Sequence, residues 1–301
     1  MCIRDSLKTG AYHYARPSTD AKTQAANFAA QIALAPDQTL PPALDIEVDE
    51  GKSAAQLEQW IEEFTSELKR LTGRTPMIYT YKYFWMGQMN NSQKFSDMPL
   101  WLAAYQDQAP EAVGGWKKLS FWQRSGSGKV AGIPTDVDMN LFNGSKQQLQ
   151  SFSDGNYVDV GGALEQLVVG DGVDLSSDST PLIGAILALA AGLIAIPQLV
   201  DAAEKSGLDP QAAQGLAGFV KTLQDKDALP VEDLGDMAKG NFSVSDLAIL
   251  LDNAGHVNNV KSGNVSESEV SEAKNAAKKA GADVPDFDAG QVATLLNRVL
   301  Q

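Results

Sequence analysis

Leu44-Asp45-Ile46-Glu47 sets two carboxylates two residues apart in the extended run PPALDIE (41–47). Side chains alternate across a strand, so Asp45 and Glu47 share one face, with Cα atoms about 6.6 Å apart. Carboxyls that close push each other's pKa values apart and leave one protonated near neutral pH. Glycoside hydrolysis needs this: one acid to protonate the leaving oxygen and one charge to stabilise an oxocarbenium-like centre. The plainer reading is a capped strand end with solvated acids. Pro41–Leu44 is apolar, which puts both acids at the C-terminal end of the strand, the catalytic face of a parallel βα barrel. His13, Tyr14, Tyr79, Tyr81, Tyr105, Gln123, Asp136 and Asp138 fall near comparable strand ends, and Asp138 shares a strand face with Asn140. A cleft lined by acids and aromatic rings suits a sugar chain, although each ring serves equally well in a core.

The elements that must position these residues are short apolar runs alternating with helical patterns. Strands are predicted at 10–15, 41–47, 76–81, 99–105, 119–123 and 136–142, and helices at about 19–34 and 53–72. The second helix starts at Ser53, carries Leu57, Trp60, Ile61, Phe64 and Leu68 at helical spacing, and stops at Gly73. Strand–helix–strand alternation implies a parallel sheet or barrel, with helices thinning out towards residue 140. Residues 144–179, rich in Gly, Asn, Ser and Asp, read as a linker with at most one short hairpin or helix. Residues 180–301 read as an acidic helical domain.

The two halves differ sharply. Of the 301 residues, 1–150 hold 15 Lys and Arg against 16 Asp and Glu, whereas 151–301 hold 9 against 22. All five tryptophans lie in the first half. Two such halves imply two domains, and a net charge of −14 argues against nucleic acid as a partner. Cys2 is the single cysteine and cannot bridge internally. With His13 and His256 as the only histidines, neither a zinc site nor a Ser-His-Asp triad is expected, and no cofactor is implied. Gly126-Ser127-Gly128-Lys129 lacks the glycine and the Ser/Thr that a phosphate loop requires. Residues 181–200 are uncharged, but Pro197 interrupts them and no Lys or Arg flanks their start. A buried helix is therefore favoured over a membrane contact. A weak repeat begins at Gly240, Gly263 and Phe287. It resembles half of an EF-hand loop but lacks carboxylates at the first ligand positions, so a repeated helix-capping box is the simpler reading.

Six blocks, in order, carry a resemblance to a known family: GAYHYARP (10–17), PPALDIE (41–47), PMIYTY (76–81), PLWLAAY (99–105), FWQ (121–123) and VDMNLFNG (137–144). From about Gly10 to Asn143 the sequence resembles the glycoside hydrolase family 25 lysozymes, the Chalaropsis-type N-acetylmuramidases. The resemblance implies an α/β fold, a (β/α)5β3 TIM-like barrel, here followed by an all-α C-terminal domain. It implies cleavage of the β-1,4 bond between N-acetylmuramic acid and N-acetylglucosamine in peptidoglycan, outside the cell or at its wall. Glu47 would be the general acid. Asp45 would stabilise the transition state or orient the substrate's acetamido group, and Asp138 matches the family's acid on the last strand. Tyr12, Tyr14, Tyr79, Trp101, Tyr105 and Gln123 would line the substrate cleft.

The chain also departs from the family. The Asp-x-Ser-type first strand and the Lys-Ala-x-Glu-Gly-type second strand have no match, and residues 1–6 read as an artefactual start with no signal peptide. The expectation is a barrel lacking its first two strands, with exposed sheet edges, poorly folded or inactive as written while the complete gene encodes an active enzyme. Two alternatives stand beside the enzyme: a non-catalytic glycan-binding remnant, or a membrane- or partner-associated helical protein acting through its C-terminal half.

Overall fold

The computed structural model describes residues 7–157, 163–164, 167 and 175–256. Residues 1–6, the repeat copies at 263–270 and 287–292, and the remainder of the 180–301 segment beyond residue 256 lie outside these. The chain divides into two compact units, Met1–Val173 and Asp174–Gln301.

The first unit is a mixed α/β fold built on one curled six-stranded sheet, a half-barrel. Its strands are β1 (Tyr12–Tyr14), β2 (Ala43–Asp45), β3 (Met77–Tyr81), β4 (Leu100–Ala103), β5 (Phe121–Gly128) and β6 (Val137–Phe142). They pair in sequence order; β1 to β5 run parallel and β6 returns antiparallel to β5. Five lie within the predicted strand spans; β5 starts inside the span 119–123 and runs five residues beyond it, to Gly128. Helix α1 (Ala21–Ala33) follows β1 and α2 (Ala54–Thr72) follows β2. Asp20 caps α1 by accepting from Thr23 N, and Ser53 with Gln56 closes a capping box on α2. Gly73 ends α2 in the left-handed region (φ 70°), where a Cβ would be strained. Leu57, Trp60, Ile61, Phe64 and Leu68 of α2 are buried, as their spacing predicts.

Alternation along the strands sorts side chains between two faces. Leu44, Ile78, Leu100, Leu102 and Trp122 are fully buried, and alternation sets them on the face opposite Asp45, Tyr79 and Gln123. His13 belongs to that helix-facing side: its ring stacks on Phe64 (5.3 Å between centroids) and tilts against Phe28 (5.5 Å). Its Nε2 bonds Gln24 Oε1 at 2.8 Å. The sequence grouped His13 with the strand-end polar residues; its neighbours Tyr12 and Tyr14 point the other way, so His13 is a packing residue between sheet and helices.

Residues 146–153, within the segment read as a linker with room for one short hairpin or helix, are α3 (Lys146–Ser153), capped by a Ser145–Gln148 box. Its Phe152 is fully buried against Ala43 and Met77, with Leu40, Trp101, Phe121, Phe142 and Tyr157 packed around them. Ala43, Met77, Trp101 and Phe121 lie at or next to the N-terminal ends of β2 to β5 and Phe142 at the C-terminal end of β6, so α3 packs at the end of the sheet opposite Glu47.

The second unit contains α4 (Thr180–Ala190), α5 (Ile196–Lys205), α6 (Pro210–Asp225), α7 (Val231–Met237) and α8 (Val244–His256) among its described residues. Leu182 to Ala190 are buried without exception, making α4 the central helix of this unit. Gly192 (φ 71°) follows α4, and Pro197 sits in the first turn of α5, where its missing N–H costs no bond. No described helix is long and apolar enough to cross a membrane. Ser243 and Asp246 form the reciprocal capping box at the start of α8: Asp246 N donates to Ser243 Oγ (3.2 Å) and Ser243 N to Asp246 Oδ2 (3.0 Å).

Candidate active site

Register brings the sequence candidates into one patch. Tyr14, Asp45, Tyr79 and Trp101 stand in successive partner positions on β1 to β4. One step towards the strand ends, Ala103, Gln123 and Asn140 continue the row on β4 to β6. Glu47 lies just beyond β2, held against β3 through Ile46, whose N–H donates to Tyr79 O at 3.0 Å. Asp45 and Glu47 are both buried, 7% and 8% exposed, which is rare for carboxylates.

Hydrogen bonds tie the lining together across intervening strands. Tyr79 Oη donates to Gln123 Oε1 (2.7 Å) over β4, and Trp101 Nε1 donates to Asn140 Oδ1 (2.8 Å) over β5. The Trp101 and Tyr79 rings meet edge to face at 4.8 Å. The ladder between β5 and β6 shifts register between Gln123 and Ser125 and again before Gly128. Such bulges re-aim side chains beside active sites. Gly126 lies within this irregular stretch: a Cβ there would stand 2.9 Å from Tyr105 Oη and 3.6 Å from Asp138 Oδ1. The backbone thus passes close to both groups, and any side chain at 126 would intrude on them.

Burial pushes the Asp45 carboxyl well above the usual carboxylate range, and the negative charges of Glu47 and Asp138 push it further. Burial likewise raises the Tyr79 and Tyr14 hydroxyls, reinforced in both by Glu47 and Asp45. Burial and neighbouring negative charge therefore favour the protonated carboxyl at Asp45 and the neutral hydroxyls of Tyr14 and Tyr79. Asp45 Oδ1 and Tyr14 Oη are buried yet meet no hydrogen-bonding partner among the described residues. Buried polar atoms without partners are costly, and a polar ligand entering the cleft would satisfy them.

Asp45, Glu47, Tyr14, Tyr79, Trp101, Gln123, Tyr105 and Asp138 thus surround one concave face. Tyr12 does not join them: it opens β1 at the other end of the strand and is 64% exposed. Asp136 is exposed on the β5–β6 hairpin and pairs with Lys129. Gly126 was missed by sequence reasoning, where it stood out only within a failed phosphate-loop pattern. No group of three or more His, Cys, Asp or Glu among the described residues is arranged to hold a metal ion.

Comparison with known proteins decides the family. The sequence signature of Glycosyl hydrolases family 25 matches residues 2–133. The N,O-diacetylmuramidase of Chalaropsis sp is 34% identical over 157 residues, which cover 48% of this chain and 72% of that protein. The chain belongs to glycosyl hydrolase family 25. An uncharacterized Escherichia coli (strain K12) protein, YegX, is 35% identical to this family-25 chain over 152 residues, 50% of this chain and 54% of YegX. The chain thus spans about half the length of the first curated relatives it matches. A bacterial lysozyme structure from Streptomyces coelicolor shares 32% identity over 49% of this family-25 chain and 72% of its own, with a TM-score of 0.44.

Proposed function

We propose that this family-25 chain is a peptidoglycan hydrolase that cleaves the β-1,4 bond between N-acetylmuramic acid and N-acetylglucosamine. The observation that carries this reading is the buried Asp45–Glu47 pair at the C-terminal end of β2, with Asp138 near enough to raise the Asp45 pKa further. The muramidase name of the Chalaropsis relative supports it. We read the six strands as the last six of a (β/α)5β3 barrel: two strand–helix units, then β3 with its π-helical turn Phe84–Gln88, then β4 to β6 without helices between them.

In this reading Glu47 delivers its proton to the glycosidic oxygen as the bond breaks, and the leaving sugar departs as an alcohol. Asp138 places negative charge where the anomeric carbon becomes cationic; a water adds to that carbon to complete the hydrolysis, and the proton it gives up restores the acid. Asp45 stabilises the transition state or orients the substrate's acetamido group. Tyr14, Tyr79, Trp101, Tyr105 and Gln123 bind the sugars, with ring faces for their apolar sides and polar ends for their hydroxyls. The substrate is the peptidoglycan glycan strand, and the site of action is the cell wall or extracellular space. The segments expected as the catalytic barrel (7–143), linker (144–179) and acidic helical domain (180–301) are proposed divisions of labour, with the chemistry confined to the first.

Replacing Glu47 by Gln keeps the shape and removes the transferable proton. Lysis of peptidoglycan falls at least a hundredfold, in line with loss of a general acid, while glycan binding persists. Unchanged lysis sinks the enzyme; binding without lysis in the parent protein as well makes the fold a glycan-binding remnant.

A further inference from the structure

Glu50 sits three residues beyond Glu47, in the loop between β2 and α2. Its backbone is left-handed (φ 46°), and Gly51 follows in the same region (φ 83°). A non-glycine residue stays there only where its surroundings over-determine it. Here they do. The side chain is 5% exposed, and its carboxylate accepts three hydrogen bonds from the neighbouring loop: Arg16 Nε at 2.5 Å, Ser18 N at 2.7 Å and Ser18 Oγ at 2.5 Å. Asp49 Oδ1 pins the turn by accepting from Gly51 N at 2.8 Å.

Arg16 and Ser18 lie just past β1, which carries Tyr14. The strand ends are also joined directly, since Ala15 N donates to Asp45 O at 2.8 Å. The rest of this loop is secured to helices: Gln24 Nε2 donates to Arg16 O (2.8 Å), and Trp60 Nε1 to Thr19 O (2.8 Å). Among these side chains, Glu50 links the loop after β2 to the loop after β1.

We propose that Glu50 is a positioning residue, a clamp between the loops after β1 and β2 that fixes Tyr14 against the Asp45–Glu47 pair. The inference rests on the muramidase reading. Charge-assisted bonds such as these are stronger and more directional than neutral ones, and catalytic groups displaced by a fraction of an ångström lose rate rather than binding.

The test is Glu50→Gln, Arg16→Gln and the double variant in the full chain. Peptidoglycan turnover gives kcat and KM, amide hydrogen exchange reads the Ala15–Asp45 bond, and thermal melting verifies folding. Each single change lowers kcat about tenfold with KM within about twofold of the parent. It also speeds exchange at Ala15 about tenfold, and the double variant is no worse than the poorer single one. Parental kcat in Glu50→Gln, losses that multiply in the double variant, or unaltered exchange at Ala15 overturns the clamp. Absence of turnover in the unsubstituted protein is a failure of the muramidase reading instead, and the exchange rates then judge the clamp by themselves.

Discussion

Asp45 shows how a site residue trades stability for chemistry. Because burial, Glu47 and Asp138 raise its pKa in the fold, the stability it contributes is fully present below the ordinary carboxylate value of about 3.9 and is lost as pH rises through the raised one. Asp45→Asn removes that titration. We expect the variant to melt higher than the parent at pH 7–8, by about 2–4 °C for each ~1 kcal/mol recovered. The gap closes towards pH 4, and lysis is lost at every pH. A gap that widens in acid would show that Asp45 is ionised in the fold. The Asp45–Glu47 pair was legible in the sequence because strand alternation is a rule of spacing. Glu50 was not, because its role depends on a left-handed backbone and on bonds to a loop 32 residues earlier.

Among the elements, the six strands and the two long helices were readable from apolar runs, caps and the Ser53 and Gly73 boundaries. α3 was not. Seven of the eight residues in Lys146–Ser153 carry no packing signal comparable to Phe152, and its flanks are Gly- and Asn-rich, so composition pointed to a connector. One fully buried ring nevertheless makes it part of the core, in edge contact with Phe121, Phe142 and Tyr157. Phe152→Ala is expected to destabilise the first unit by about 3–5 kcal/mol, measured by urea unfolding of the tryptophan signal. A loss under about 1 kcal/mol would return α3 to the status of a linker. His13 teaches the complementary lesson: its residue type suggested chemistry, but alternation committed it to the helix side, between Phe28 and Phe64.

For the whole molecule, charge and tryptophan are unevenly divided between the two halves of the sequence, and the chain separates into two compact units at Val173–Asp174. The net charge of −14 belongs almost wholly to the second half, so it describes a surface remote in sequence from the acids of the site. Units with separate cores unfold separately. Calorimetry should show two transitions, with Phe152→Ala lowering one and leaving the other in place. Movement of both would mean a single cooperative structure. Strands β1 and β6 form the edges of the sheet among the described residues. Open edges bear on the stability of the first unit, whereas the proposed chemistry rests on its carboxylates.

The most direct test of that chemistry is the identity of the sugar left at each new chain end. Purified peptidoglycan is digested with the protein and with its Glu47→Gln variant, the products are reduced with borohydride, and the terminal sugars are identified by mass spectrometry. The account predicts reduced N-acetylmuramic acid from the parent protein and none above background from the variant. Reduced N-acetylglucosamine, equal release by both proteins, or no new ends from either would contradict it.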